Sequence, residues 1–283
     1  MKALQCTELG GPEKLQVNEI DAPEAMPGHV VIDVKSGSIN FPDVLMIQGL
    51  YQFQPPLPFI PGGESAGVIS EVGEGVTKFK EGDKVFAMTG VGAFAEKILA
   101  AESNCMPIPE SMDFDSAAAL SMTYGTSLYA LKQRASLQPG ETLLVLGASG
   151  GVGLAAIELG KAMGAKVIAA ASTQDKIDMC LSHGADEGFI YPSSNLDREQ
   201  QKELSNKIKE LTGGLGPNVI YDPVGGSYAE PCLRSIAWEG RYLVIGFAAG
   251  ADQIPKMPLN LTLLKGCQIV GVFWGAWVGQ FPD

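Results

Sequence analysis

Histidine, paired cysteine and basic charge are what this sequence has least of. Only two histidines occur in 283 residues, His29 in a Pro-Gly-His turn and His183 late in a helical stretch. Neither has a ligand-type neighbour, so no metal is expected at either. The five cysteines (Cys6, Cys105, Cys180, Cys232 and Cys267) are scattered and contain no CxxC pair. That spacing argues for reduced, buried thiols and against a disulfide framework. Acidic residues outnumber basic ones 32 to 20, for a net charge of −12. Nucleic acid is thereby disfavoured as a partner, whereas a small anionic ligand held by local lysines is not. No apolar run reaches the ~18 residues of a membrane span. The start, MKALQCTELG, has no secretory h-region. The expectations are no membrane segment and a cytoplasmic location.

What is present is ample apolar residue, 46% of the chain, and a length that suits one large or two moderate domains. Up to about residue 120 the chain reads as short strands with a period of two. Val30–Val34, Gly67–Ile69 and Lys84–Ala87 are separated by breaks at Pro27-Gly28, Gly73-Glu74-Gly75 and Glu81-Gly82-Asp83. This predicts a small β-rich domain of barrel-like character. Asp113 or Asp115 then caps a helix through Ser116–Leu120, and a second helix is predicted over Ser127–Arg134, ended by Leu137-Gln138-Pro139-Gly140.

From Glu141 onwards buried strands alternate with helices. Thr142–Leu146, Lys166–Ala170, Asn218–Tyr221 and Tyr242–Ile245 read as strands, with helices over Val152–Met163 and Gln174–His183. The fold class expected is α/β, with a doubly wound parallel sheet of Rossmann type. The charged stretch Asn195–Glu210 reads as a solvated helix.

The sharpest local signal lies in LLVLGASGGVGLAAIELG. Gly147, Ala148, Ser149, Gly150, Gly151, Val152 and Gly153 form a turn between an apolar strand and an amphipathic helix. Such a turn lets backbone N–H groups reach a dinucleotide pyrophosphate at a helix N-terminus. Alanine takes the first position of the usual GxGxxG. The next strand ends in VIAAASTQDK, with Ala171 where an NAD-type site carries an acid. Ser172 and Lys176 offer a hydroxyl and an ammonium that suit a 2′-phosphate, so NADPH is the cofactor expected; Asp175 counts against this.

The segments SGSINFPDVLMIQGLY, PFIPGGESAGVI, EVGEGVTKFKEGDKVFA, GAFAEKI, TYGTSLYAL and LGASGGVGLAAIELGKAMGAKVIA together resemble the medium-chain dehydrogenase/reductase superfamily. Within it they are most similar to the zinc-free quinone oxidoreductase (zeta-crystallin-like) branch. The resemblance implies a GroES-like catalytic domain at 1–122, a Rossmann NADPH-binding domain at 123–275, and an active site in the cleft between them. It also implies that residues 276–283 begin a return to the catalytic domain whose remainder is missing. Where zinc-dependent relatives carry Cys and His ligands, this chain has Asn40 and Gly63. The Ala87–Lys97 region lacks the four cysteines of a structural zinc.

Chemistry without a Lewis acid suits an electron-poor acceptor, namely a quinone or an enone. Charge developing on its oxygen still calls for hydrogen-bond donors. Asn40, Tyr51 and Thr126 are the catalytic candidates. The rival readings are loop packing for Tyr51 and satisfaction of local backbone groups for Asn40. Among cofactor contacts the resemblance implies Tyr191 near the adenosine phosphate, Ile245, Gly246 and Phe247 near the nicotinamide, and Phe273, Trp274 and Gly275 bordering the site. The strand Gln268–Phe273 is expected to pair with its equivalent in a homodimer. The function expected is NADPH-dependent, zinc-independent hydride transfer to quinones. Enone or enoyl-thioester reduction is the alternative, as is an inactive NADPH-binding structural protein.

Overall fold

The computed structural model describes residues 1–192 and 195–281. The chain divides into two compact units, Met1–Met122 and Thr123–Asp283. In order, the first holds strands β1 (Lys2–Cys6), β2 (Leu15–Glu19) and β3 (His29–Ser38), helix α1 (Phe41–Ile47), then β4 (Glu64–Val72), β5 (Lys84–Met88), β6 (Lys97–Ala101), β7 (Cys105–Pro107) and helix α2 (Phe114–Ala118). β3 to β7 form an antiparallel sheet in the order β6-β3-β4-β5-β7, and β1 pairs with β2 in a separate ribbon. Single bridges Ala3–Ala95 and Cys6–Phe59 tie that ribbon to the rest. The strands lie where the period-two pattern put them. Among the described residues, however, strand pairing leaves the sheet open at β6 and β7, so the barrel is not closed.

Alternation explains this core. Val30 and Ile32 of β3, Ile69 of β4, Val85 and Ala87 of β5, and Ile98 and Ala100 of β6 fill one cluster. Ala66 and Phe86 point the other way and meet Ala117 and Ala118 of α2. Asp113 resolves the capping alternative, because its carboxylate accepts from the Ser116 amide at 2.7 Å.

Helix α3 (Leu120–Leu128) continues as a π-helical stretch, Tyr129–Arg134. Ala135 N donates to Ala130 O, five residues back. The helix therefore starts seven residues before the Ser127 expected from sequence. Gly125 lies inside α3, and a Cβ there would lie 2.5 Å from the Trp274 ring. The glycine serves close packing, and the helix runs through it.

The second unit continues with β8 (Thr142–Val145), α4 (Gly151–Ala162), β9 (Lys166–Ala171), α5 (Gln174–Ser182), β10 (Glu187–Ile190), α6 (Arg198–Leu211), β11 (Val219–Asp222), α7 (Ala229–Ser235), β12 (Arg241–Val244), α8 (Asn260–Lys265), β13 (Gln268–Gly271) and α9 (Trp274–Gln280). Its six strands are parallel, in the order β10-β9-β8-β11-β12-β13. This is the doubly wound arrangement, with its reversal of strand order between β8 and β11.

Successive residues of each strand feed opposite faces. Leu143, Val145, Val167, Ala169, Val219 and Tyr221 join Ala156 and Ile157 of α4 on one side. Leu144, Leu146, Ile168, Ala170, Ile220 and Tyr242 join α6 and α7 on the other. Both faces are buried, which is why β8 reads as an unbroken apolar run. Leu204 and Ile208 of α6 are part of that second cluster. The charged stretch is thus an amphipathic helix with one buried face, capped by a reciprocal Asp197–Gln200 pair. The expected strand Gln268–Phe273 stops at Gly271, and Phe273 precedes α9. All five cysteines are free and buried. No helix among the described residues is long and apolar enough to cross a membrane.

One ion pair fastens the amino end of this sheet. Arg241, opening β12, donates to Glu141 through Nη1 at 2.7 Å and Nη2 at 2.6 Å, and through Nε to Ala135 O. Both side chains are mostly buried. Burial alone would raise the Glu141 carboxyl; the Arg241 hydrogen bonds, the Gln138 N–H and the Arg241 charge together outweigh it and hold the carboxyl below its ordinary value. A depressed carboxyl contributes stability that is fully present above its unfolded pKa and lost as pH falls through the folded one. Arg241→Met should therefore cost about 1.5–3 kcal/mol at neutral pH. The cost should shrink on the acid side of the carboxylate range. Urea denaturation of both proteins across that range checks the prediction.

Candidate functional site

In the second unit the site is built where the strands end. Gly147 follows β8 in the left-handed region at φ +55°, a conformation that glycine adopts without steric cost. A Cβ at Gly147 would meet Val224 Cγ2 at 2.9 Å. One at Gly153 would meet the carbonyl oxygens of Gly147 and Ala148 at 2.6 Å. The first turn of α4 thus presses directly on the turn that precedes it. Gly150 is the exposed N-cap of α4, and no side chain caps that helix. By contrast Asp113, Thr173 and Asp197 cap α2, α5 and α6. The amino end of α4 keeps backbone donors and the positive end of its dipole. Ser149 and Val152 are half-buried, Ala148 is fully buried and Gly151 is exposed.

Beside this turn lies a pocket of about 330 Å³ lined by Ser172, Tyr191, Val224, Tyr228, Ala248 and Gln253, among others. Ser172, Tyr191 and Val224 each come just after a parallel strand, on the carboxyl edge where α/β sheets bind ligands. The Tyr191 hydroxyl accepts from Gly147 N at 3.1 Å, and its ring packs on Tyr228 with centroids 4.8 Å apart. Burial pushes the Tyr191 phenol up to about 12. Lys176 reaches back along α5 to donate to Ser172 Oγ at 3.0 Å, while Asp175 is exposed beside it.

Asp222 supports this edge from below, and sequence reading missed it. Its Oδ1 accepts from Val224 N and Gly225 N at 2.8 Å each, and Tyr242 donates its hydroxyl to Oδ2. Burial pushes the carboxyl up, against these three donors. Ile245 and Gly246 continue from β12, their amides directed at Asp222 O, and both are half-buried with Phe247. Phe273 is 53% exposed, so core packing does not claim it. Trp274 rests on Gly125, which puts the Phe273–Gly275 segment next to Thr126 in α3.

Asn40 and Tyr51 belong to the first unit. Asn40 follows the end of β3 and caps α1, and its backbone N–H donates to Asp43 Oδ2 at 2.7 Å. The N-x-x-D spacing signals this contact in the sequence. Asp43 is buried and also accepts from Gly62 N at 3.2 Å. Burial outweighs these bonds and raises its carboxyl. Asn40 Nδ2 donates to Ser38 Oγ and to Glu64 Oε1, each at 2.9 Å. Glu64 was missed as well, a lone acid heading the apolar strand ESAGVIS. Tyr51 packs against Cys6, Met46, Ile47 and Phe59. Burial, with Asp43 adding to it, raises its phenol, so the hydroxyl stays a donor. Gly63 has room for a side chain, since a Cβ there would meet nothing closer than Gly90 O at 3.6 Å. Among the described residues no three His, Cys, Asp or Glu side chains gather as a metal-ligand set.

Known proteins carry the same architecture. The family model described as an alcohol dehydrogenase GroES-like domain matches residues 26–110, and that described as a zinc-binding dehydrogenase matches residues 151–283. The chain is 40% identical over 284 residues to quinone oxidoreductase-like protein 2 homolog of Nematostella vectensis, covering 100% of this chain and 74% of that one. It is 34% identical over 274 residues to quinone oxidoreductase of Rattus norvegicus, covering 96% and 80%. Among solved structures, the quinone oxidoreductase of Thermus thermophilus, described with its NADPH complex, superimposes with a TM-score of 0.82 at 30% identity. That match covers 99% of this chain and 83% of the other. The chain therefore belongs to the quinone oxidoreductase branch of the medium-chain dehydrogenase/reductase superfamily.

Proposed function

We propose that this protein is a cytoplasmic, NADPH-dependent reductase of quinones that works without catalytic zinc. The observation that carries the cofactor reading is the cradle at Gly147, Gly150 and Gly153, set against an α4 N-terminus that no side chain caps. When bound, NADPH supplies a hydride to the acceptor. In this reading the backbone donors from Ser149 to Gly153 hold the pyrophosphate. Ser172 and Lys176, already bonded to each other, bind the 2′-phosphate with a charge-assisted contact. Tyr191 and Tyr228 wall the adenosine side. Ile245, Gly246, Phe247 and the Phe273–Gly275 segment border the nicotinamide.

The acceptor reading rests on family membership and on Asn40 and Gly63, which leave no Cys–His pair for zinc. The hydroxyls of Tyr51 and Thr126 are the donors assigned to the acceptor oxygen as charge develops there. Strand β13 is the outer strand of its sheet and pairs with β12; in this reading its free edge meets a second copy.

Two measurements test this. Turnover of a panel of small quinones and enones, run on the species resolved by size-exclusion chromatography, should favour quinones and come from a dimer. Faster enone turnover would move the assignment to enone reduction. NADPH binding without turnover on any acceptor would favour a non-catalytic role. Lys176→Ala should weaken NADPH roughly tenfold, in keeping with one hydrogen bond to a charged group, and leave NADH almost unchanged. Equal losses for both would contradict the 2′-phosphate assignment.

A further inference from the structure

Glu64 is buried, 1% exposed, at the head of β4. It faces Ser38 directly across the β3–β4 ladder. Three donors converge on its carboxylate. Ser38 Oγ donates to Oε1 at 2.5 Å, Asn40 Nδ2 donates to Oε1 at 2.9 Å, and Met122 N donates to Oε2 at 2.8 Å. All three are neutral, so the acid is held by hydrogen bonds alone.

This arrangement has a direction. A carboxylate only accepts, so the hydrogens must lie on the groups around it. Ser38 gives its single hydrogen to Glu64 and keeps lone pairs, one of which accepts from Asn40 Nδ2 at 2.9 Å. Ser38 Oγ and Glu64 Oε1 both accept from the Asn40 NH2 group. The amide cannot turn over, because its carbonyl oxygen would then face the Glu64 carboxylate and the Ser38 lone pairs. The backbone of Asn40 is pinned separately by Asp43. What remains for a ligand is Oδ1, which also faces the Asp43 N–H in the capping box of α1.

We propose that Glu64 is a positioning residue that fixes the polarity of Asn40, so that Asn40 meets a ligand as a hydrogen-bond acceptor and takes a hydroxyl or N–H group. This deepens the reductase reading and, for the identity of the ligand, rests on it. Asn40 is thereby removed from the donors that stabilise charge on the acceptor oxygen, and that role falls to hydroxyl groups. The group Asn40 binds is a ligand hydroxyl or amide N–H. A bare quinone carries neither, so the ligand that Asn40 binds is one that carries such a group.

The test uses the polarity itself. In Glu64→Gln the Met122 N–H still needs an acceptor, so the introduced amide turns its oxygen to Met122 and its NH2 to Asn40. The Asn40 amide must then rotate, turning its hydrogens outward. In the wild-type chain, NMR hydrogen exchange should find the Asn40 side-chain NH2 group protected. In Glu64→Gln, that protection should be lost. Turnover with NADPH should fall about tenfold, the value of one hydrogen bond reversed. Adding Asn40→Asp to Glu64→Gln restores an outward acceptor, because one Asp oxygen takes the N–H of the introduced amide and the other faces the ligand. The double variant should recover most of the lost turnover, whereas Asn40→Asp alone sets two carboxylates together and should not. Unprotected Asn40 hydrogens in the wild type, protection unchanged in Glu64→Gln, or a double variant no better than the single would each overturn the proposal. A wild-type chain inactive on every acceptor would sink the reductase reading, while the exchange measurement would still decide the polarity of Asn40.

Discussion

The second unit depends on how near helix α4 can come to the carbonyl oxygens of Gly147 and Ala148. At Gly153 that approach leaves 2.6 Å for a Cβ that is not there, and any side chain would push the helix off the strand end. The consequences run outward from this contact. Closeness brings the amino end of α4 to the carboxyl edge of the sheet, where the strand order reverses between β8 and β11. It also seats Val224 under Gly147, and Val224 is held by the buried Asp222. A packing constraint of the core and a donor-lined surface for an anion are thus one feature seen from two sides.

The first unit solves a different problem with related means. At the two positions where the family resemblance would put zinc ligands, this chain has the Asn40 amide and Gly63. The amide is not loose. Asp43 grips its backbone and Glu64 its side chain, so two buried acids hold one neutral group. Neither acid has a cation beside it in these contacts; each is satisfied by N–H and O–H donors. Such a network stabilises only when every member is paired, which the Ser38, Asn40 and Met122 contacts accomplish for Glu64.

Much of this was legible in the sequence, for physical reasons. Strand β8 announces itself because a strand covered on both faces carries no polar alternation. The glycine turn is legible because few residues fit a left-handed turn and a close helix approach. Ser172 falls just after β9 and Lys176 in the first turn of α5 by simple counting along βαβ units. What stayed hidden depends on contacts between distant segments. Glu64 and Ser38 meet only because β3 and β4 pair in one register. Asp222 matters only once β12 brings Tyr242 beside it. The start of α3 was placed too late, and the use of Gly125 inside it shows only once Trp274 is seen against it. Likewise α6 looks wholly solvated until Leu204 and Ile208 are placed on the sheet. Periodicity reports an element's own faces; it does not report which distant group completes them.

The central claim is that the turn at Gly147 to Gly153 holds the cofactor through its backbone. Gly150 isolates that claim, because a Cβ there would meet only Gly147 O, at 3.3 Å, and the fold can absorb it with a small shift. A methyl group at this exposed N-cap would nevertheless stand where a pyrophosphate has to approach. Calorimetric titration of NADPH into the wild-type chain and into Gly150→Ala is the direct measurement. Saturable binding to the wild type is expected, with a loss of about tenfold or more in the variant and the thermal transition almost unmoved. Equal affinity in the two proteins, or no NADPH binding to the wild type, would contradict it.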